Sequence, residues 1–284
     1  MLNSVRLDEK SSAACALTSW RDRIQLFWAG SNAKLNLASA PDDLRFAAPL
    51  RLPDRTYSYD ASSMDDSFSN IVVTAPALVG TPDRLYLTWA GANAALVLLV
   101  ADARAFFAPT ILKHRSRCSP AVAVSGGGAP VLAWAGRDRR INLLTLSGSR
   151  ATTPVRLAQA KSGVAPAVCR HRDALVLAWM GTDRRVNVLT LPEHGQGAHL
   201  RLEEAKTSCA PAVCSHQGTV QLAWTGTDRR VNVVTVAGNR VTTAIRLDEA
   251  RTGFAPAVCS HRGRLTLAWI GTDAHVNVAY LPMT

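Results

Sequence analysis

No stretch of this sequence approaches the roughly 18 consecutive apolar residues that a spanning helix needs, and the opening MLNSVRLDEKSS lacks a basic segment followed by an apolar one. The expectation is a soluble chain, cytoplasmic or released without a classical signal peptide. Neither CxxC nor HxxxH occurs, so no metal site and no cofactor are expected. Runs of like charge are missing too, as are RNP and zinc-finger patterns, which argues against specific nucleic-acid recognition. The excess of Lys and Arg over Asp and Glu, 32 to 21, still creates a long-range field that draws polyanions. Cysteines number six: Cys15, Cys118, Cys169, Cys209, Cys214 and Cys259. Cys169, Cys214 and Cys259 take the same position in successive repeats. A disulfide needs Cα atoms within about 7 Å, so these three are expected to be small buried hydrophobes in a reducing compartment.

What the chain has is a core and a repeat. With 48% hydrophobic residues in 284 it can bury a large interior. Trp28, Trp89, Trp134, Trp179, Trp224 and Trp269 follow one another at spacings of 61, 45, 45, 45 and 45 residues. From the third copy onward the grammar is constant: APAVCSH, then LTLAWIG, then HVNVAYL, then TTAIRLDE. All four runs are short, β-branched or alternating, and divided by Gly, Asn, Asp or Ser, the pattern of antiparallel strands. We refer to them by position as A to D. Four strands in about 45 residues is the period of a propeller blade, so the predicted fold is an all-β, six-bladed β-propeller spanning 1–284 as one domain. A tandem pair of β-trefoils also has six units, but the 45-residue rhythm runs unbroken across the midpoint. The last copy lacks its strand D while the N-terminus opens on SVRLDEK, similar to AIRLDEA at 244–250. The first strand is therefore expected to complete the last blade and close the ring, removing an exposed edge.

In this topology the B–C and D–A connections share one face and the A–B and C–D connections the other. The first face repeats closely: GRDRR, GTDRR, GTDRR and GTDAH in the B–C turn, and LAQAKSGVAP, LEEAKTSCAP and LDEARTGFAP in the D–A connection. The C–D turns differ freely. That asymmetry directs attention to the B–C face. Asp138, Asp183, Asp228 and Asp273 admit two readings, ligand contact or turn closure; Asn32 and Asn93 stand at the same position in the first two copies, and Asn and Asp close turns in the same way. The cations are the stronger candidates: Arg139, Arg184 and Arg229 in the turn, and Lys161, Lys206 and Arg251 in the D–A connection beside Glu204 and Glu249. The repeated tryptophans are expected to pack between blades, with Trp20, outside the pattern, as a candidate surface anchor. Asn36, Asn142, Asn187, Asn232 and Asn277, inside strand C, need partners if buried and are expected to bond the neighbouring blade. His171, His216 and His261 are expected to cap the opposite A–B turn. An insertion at 54–70, DRTYSYDASSMDDSFSN, emerges on the B–C face with Tyr57 and Tyr59. Long loops of this kind are usually functional or disordered.

The units LAWTGTDRRVNV and LAWMGTDRRVNV resemble the W-x-G-T-D blades of bacterial sialidase-like and lectin-like propeller proteins. That resemblance covers essentially the whole chain. It implies a non-catalytic, multivalent carbohydrate-binding protein with sites at blade junctions, lined by Arg and a carboxylate, whose partner is a glycan or glycoconjugate. The S-x-D-x-G-x-x-W box of sialidases and the D-x-D-x-D-G loop of calcium-binding lectin propellers are both absent. Two further readings stand beside the lectin: a scaffold that binds a protein partner on the B–C face, and a glycosidase-like enzyme centred on the 54–70 insertion.

Overall fold

The computed structural model describes the chain except for residues 1, 3, 33, 53–74, 92–93, 117, 148–149 and 283–284. Tyr57, Tyr59, the rest of the 54–70 insertion and Asn93 thus lie outside the described residues.

Strand β1 (Ser4–Lys10) opens the chain. Blade one holds β2 (Ala16–Trp20), β3 (Arg23–Ala29), β4 (Leu35–Ala40) and β5 (Leu50–Arg51); blade two holds β6 (Ala77–Gly80), β7 (Leu85–Ala90), β8 (Ala95–Ala101) and β9 (Thr110–Arg115). Blade three holds β10 (Ala121–Val124), β11 (Pro130–Ala135), β12 (Arg140–Ser147), the short β13 (Arg150–Ala151) and β14 (Val155–Lys161). Blade four holds β15 (Ala167–His171), β16 (Ala174–Met180), β17 (Arg185–Pro192) and β18 (Ala198–Lys206). Blade five holds β19 (Ala212–His216), β20 (Thr219–Thr225), β21 (Arg230–Ala237) and β22 (Arg240–Arg251), and blade six β23 (Ala257–His261), β24 (Arg264–Ile270) and β25 (His275–Tyr280). Each blade is an antiparallel sheet in chain order, and no helix occurs among the described residues.

Blade six is completed by β1, which pairs antiparallel with β25 through Ser4↔Ala279, Val5↔Val278 and Arg6↔Asn277. The ring closes as its two ends anticipate: the N-terminal strand supplies the hydrogen bonds that β25 would otherwise lack. The A strands are innermost, each touching the A strands of its two neighbours, β2 with β6 and β23 included. Six apolar clusters fill the six junctions rather than the blades themselves. Each repeated tryptophan belongs to one of them: Trp224, for example, packs with Val176, Val186, Leu202 and Ala205 of blade four. Alternation in strand B explains this. Leu222 and Trp224 point to one neighbour while Ala223 points to the other. Trp20 is not a surface anchor. It is half-buried against the cluster between blades one and two, with Arg21 over its ring at 5.1 Å.

Candidate functional site

The B–C turns are built by one repeated set of bonds. In blade five Gly226 N–H donates to Arg230 O at 2.8 Å, Arg229 N–H to Gly226 O at 3.0 Å, and Arg230 N–H to Asp228 Oδ1 at 3.1 Å. Asn232 Nδ2 then donates to Arg230 O at 3.1 Å. The same bonds recur around Asp138, Asp183 and Asp273, and around Asn32 in blade one, where Lys34 N–H donates to Asn32 Oδ1 at 3.1 Å. The leading glycine is required. A Cβ on Gly226 would sit 2.7 Å from Asp228 Oδ1 and 2.9 Å from Asn232 Nδ2. So Gly, Asp and the Asn of strand C form one closed unit within a single blade.

This corrects two expectations. Asn36, Asn142, Asn187, Asn232 and Asn277 bond the carbonyl two residues earlier in their own turn, not the neighbouring blade. The histidines expected to cap turns instead bond the next blade: His171 Nδ1 to Ser215 Oγ at 2.9 Å, His216 Nδ1 to Ser260 Oγ at 2.9 Å, and His261 Nδ1 to Ser19 Oγ at 2.8 Å. The A strands sit side by side around the axis, so a histidine at the end of one reaches the serine of the next. Where blade six meets blade one, Asp42 also accepts from His261 Nε2 at 2.8 Å and from Arg262 at 2.8 Å.

The second oxygen of each turn Asp is occupied by an arginine of strand D. Asp183 Oδ2 accepts from Arg201 Nε at 3.1 Å and Asp273 Oδ2 from Arg6 Nε at 2.9 Å; Asp138 pairs with Arg156, and Asp228 with Arg246 at 3.7 Å. In blades four and five an acid two residues on extends the pairing. Glu203 lies 2.8 Å from Arg201 and 3.3 Å from Arg185, and Asp248 lies 3.0 Å from both Arg246 and Arg230. The Arg201 bond, followed by the Arg185 N–H, holds the Asp183 carboxyl below its ordinary range; for Asp228 the Arg230 N–H leads. These two aspartates are therefore committed to the turn and its arginines.

The cations behave differently. Arg139, Arg184 and Arg229 sit at the turn apex with φ of 64°, exposed, and their side chains make no hydrogen bond or ion pair with the described residues. Lys161, Lys206 and Arg251 are likewise exposed and unpaired among the described residues. Register brings the two sets together: Arg140↔Lys161, Arg185↔Lys206 and Arg230↔Arg251 are cross-strand partners. The backbone N–H of residues 162, 207 and 252 reaches the carbonyls of Arg139, Arg184 and Arg229 at 2.8–2.9 Å. B–C and D–A connections thus share one face. Glu249 accepts from the Leu2 N–H at 2.8 Å.

Concavities lie nearby, between blades. One of about 560 Å³ opens between β18 of blade four and blade five, lined by Arg201, Glu203, Glu204, Trp224, Asn232 and Arg246, with Leu200, Val234, Val241 and Ile245 as apolar wall. Of the ligand-binding candidates read from sequence, Glu204 alone lines it, while Trp224 and Asn232, read as structural, line it too. A second, about 520 Å³, opens between β1 and blade one, with Arg6, Asp8, Glu9, Trp28, Asp43 and Arg45 in its lining. The buried Trp28 Nε1 has no hydrogen-bond partner there among the described residues. Junctions are not equivalent. His114 covers Trp134 at 5.2 Å between ring centroids, and His199 stacks on Trp179 at 5.5 Å. In blade five Ala244 takes the register position of His199, leaving Trp224, at 7% the most exposed of the six, open to its pocket. Sequence reasoning passed over Arg201, Glu203 and Arg246. The signal was the recurring R-L-D or R-L-E of strand D, an acid two residues after the arginine, whose alternation sends Arg201 and Glu203 to one side of the strand and Leu200 and Leu202 to the other.

No protein-family model matches this sequence, and no curated protein matches it. Solved structures do share its architecture. The fucose-specific lectin from Aleuria aurantia is similar with a TM-score of 0.70 at 12% identity, over 96% of this chain and 93% of that one. AofleA from Arthrobotrys oligospora gives 0.69 at 7% identity, over 99% and 86%. Trypanosoma rangeli sialidase gives 0.67 at 10% identity over 99% of this chain, which spans 60% of that one. At these identities the likeness establishes that the chain shares the six-bladed propeller fold of fucose-binding lectins and sialidases.

Proposed function

We propose that this protein is a non-catalytic, multivalent carbohydrate-binding propeller whose sugar sites are the pockets between blades. The observation that carries the reading is the blade four–five pocket. Its volume falls in the range of small-ligand sites, and its lining brings the edge of the Trp224 indole and Arg246 of blade five against an apolar wall and Glu204 of blade four on a rigid sheet. Carboxylates accept from, and guanidinium groups donate to, the vicinal hydroxyls of a sugar, while Trp224 and the aliphatic wall take its C–H face. The solved structures similar in fold include lectins named for fucose, which makes fucosides the first ligands to test. Two or more weak pockets on one disc gain avidity on a dense glycan surface.

A glycan array followed by calorimetry on the best hit tests this. Glu204→Ala and Arg246→Ala should each weaken binding about ten-fold, the loss of one charge-assisted bond of roughly 1.5 kcal/mol. Absence of binding to any glycan, with a protein recovered by affinity capture, would replace the lectin reading with the scaffold one.

A further inference from the structure

We infer a second binding surface, separate from the pockets and going beyond that reading: the arc of arginine–lysine pairs on the B–C face of blades three to five binds a linear polyanionic polysaccharide carrying sulfate or uronate groups.

The first observation is cationic charge in excess of its counter-charge, with Glu204 and Glu249 standing two residues from Lys206 and Arg251. Every turn aspartate on this face is consumed by its own turn and by Arg6, Arg156, Arg201 or Arg246. The apex arginines Arg139, Arg184 and Arg229 are left exposed and unpaired among the described residues, each beside Lys161, Lys206 or Arg251.

The second is the backbone. The apex residue lies at φ 64° in all three blades, a left-handed conformation that glycine and asparagine adopt at least cost. Folding alone favours those residues at this position. In blades two and six the same position holds Ala94 and Ala274, at φ 63° and 66°, and in blade one the sequence has Ala33. Arginine supplies no turn chemistry that alanine lacks, so its recurrence answers to something outside the turn.

The third is the distribution. Three consecutive blades carry the pair and the other three have alanine at the apex. A flat lipid surface laid on this face would meet all six blades alike, whereas an arc follows a chain. Bases of a single-stranded nucleic acid need aromatic platforms. The B–C and D–A loops of blades three to five offer none except Phe254, which packs into the blade six–one core. Sulfate and carboxylate groups on a sugar chain need only guanidinium and ammonium donors.

The experiment uses fluorescently labelled heparin, titrated with the full chain across a range of NaCl concentrations. In the arc variant Arg139→Gly, Arg184→Gly and Arg229→Gly are combined; glycine suits the turn, so its Tm should not fall. A control variant removes the same charge from the opposite face through Arg84→Ala and Arg104→Ala, exposed in an A–B and a C–D connection, and Arg240→Ala, exposed at the start of β22 beside a C–D turn. The arc variant should lose about ten-fold or more in affinity at low salt, with a shallower salt dependence, and the control should stay within about two-fold. Equal loss in both would overturn the proposal, because binding would then follow net charge alone, and loss in neither would overturn it because the apex arginines would then not hold the polymer. Tighter binding of single-stranded DNA or phosphatidylserine vesicles than of heparin through the same arginines would overturn the choice of polysaccharide. Neutral-sugar binding measured on the arc variant separates the two surfaces. Its absence in every variant sinks the pocket reading and leaves the arc standing.

Discussion

The B–C turn shows how one residue type can be fixed by one atom. The turn needs Asp228 for Oδ1, which accepts the Arg230 N–H, a task Asn32 performs as well in blade one; Oδ2 adds only exposed ion pairs to Arg230 and Arg246. Asp228→Asn should therefore leave stability within a few tenths of a kcal/mol, whereas Asp228→Ala should cost about 1 kcal/mol, the net worth of one lost hydrogen bond. Arg229→Gly should stabilise by about 0.5–1 kcal/mol through relief of the left-handed φ. Urea unfolding of the three variants checks all of this, and destabilisation by Arg229→Gly would show that the arginine side chain holds the turn. The chemistry of Asp228 was legible from the Asn exchange alone. The freedom of the Arg229 side chain was not, because a free and an ion-paired arginine read identically until Arg246 and Asp248 are seen to occupy the neighbouring charges.

Between blades, the histidines couple stability to pH. Burial lowers the pKa of His216 below the ordinary histidine value, and burial with the Arg172 charge does so for His171. The unfolded chain then binds these protons more readily than the folded one, so stability rises with pH. Their contribution is complete above the ordinary value near 6.5 and is lost as pH falls through the depressed one. Tm should drop between pH 7 and pH 5, and His216→Gln should flatten that drop while lowering Tm at pH 7. A Tm with the same pH slope in this variant would refute the coupling. Sequence placed these histidines at the A–B turn correctly, but their partners sit 44 or 242 residues away. The exchange of roles between His and Asn could be read only from blades in place, since both are polar residues that recur at a fixed position of the repeat.

At the scale of the molecule, closure is the decisive feature. The β1 strand supplies the outer edge of blade six, and Leu7 packs against the cluster shared by blades six and one. Deleting residues 1–11 should expose β25 as an unpaired edge, lowering Tm and producing concentration-dependent association in size-exclusion chromatography. A monomer of unchanged Tm would mean that β1 is dispensable.

The sequence by itself determined the blade number, the strand order, the closure and the tryptophan junctions, because each depends on local period and on alternation that repeats every 45 residues. It also marked the cationic face, since loop positions follow from strand order. Only the tertiary structure decided which junctions open into pockets. That depends on whether a neighbouring side chain such as His199 or Ala244 covers the indole, and on which carboxylates the strand D arginines have already neutralised. Both are contacts between strands that the repeat makes look the same.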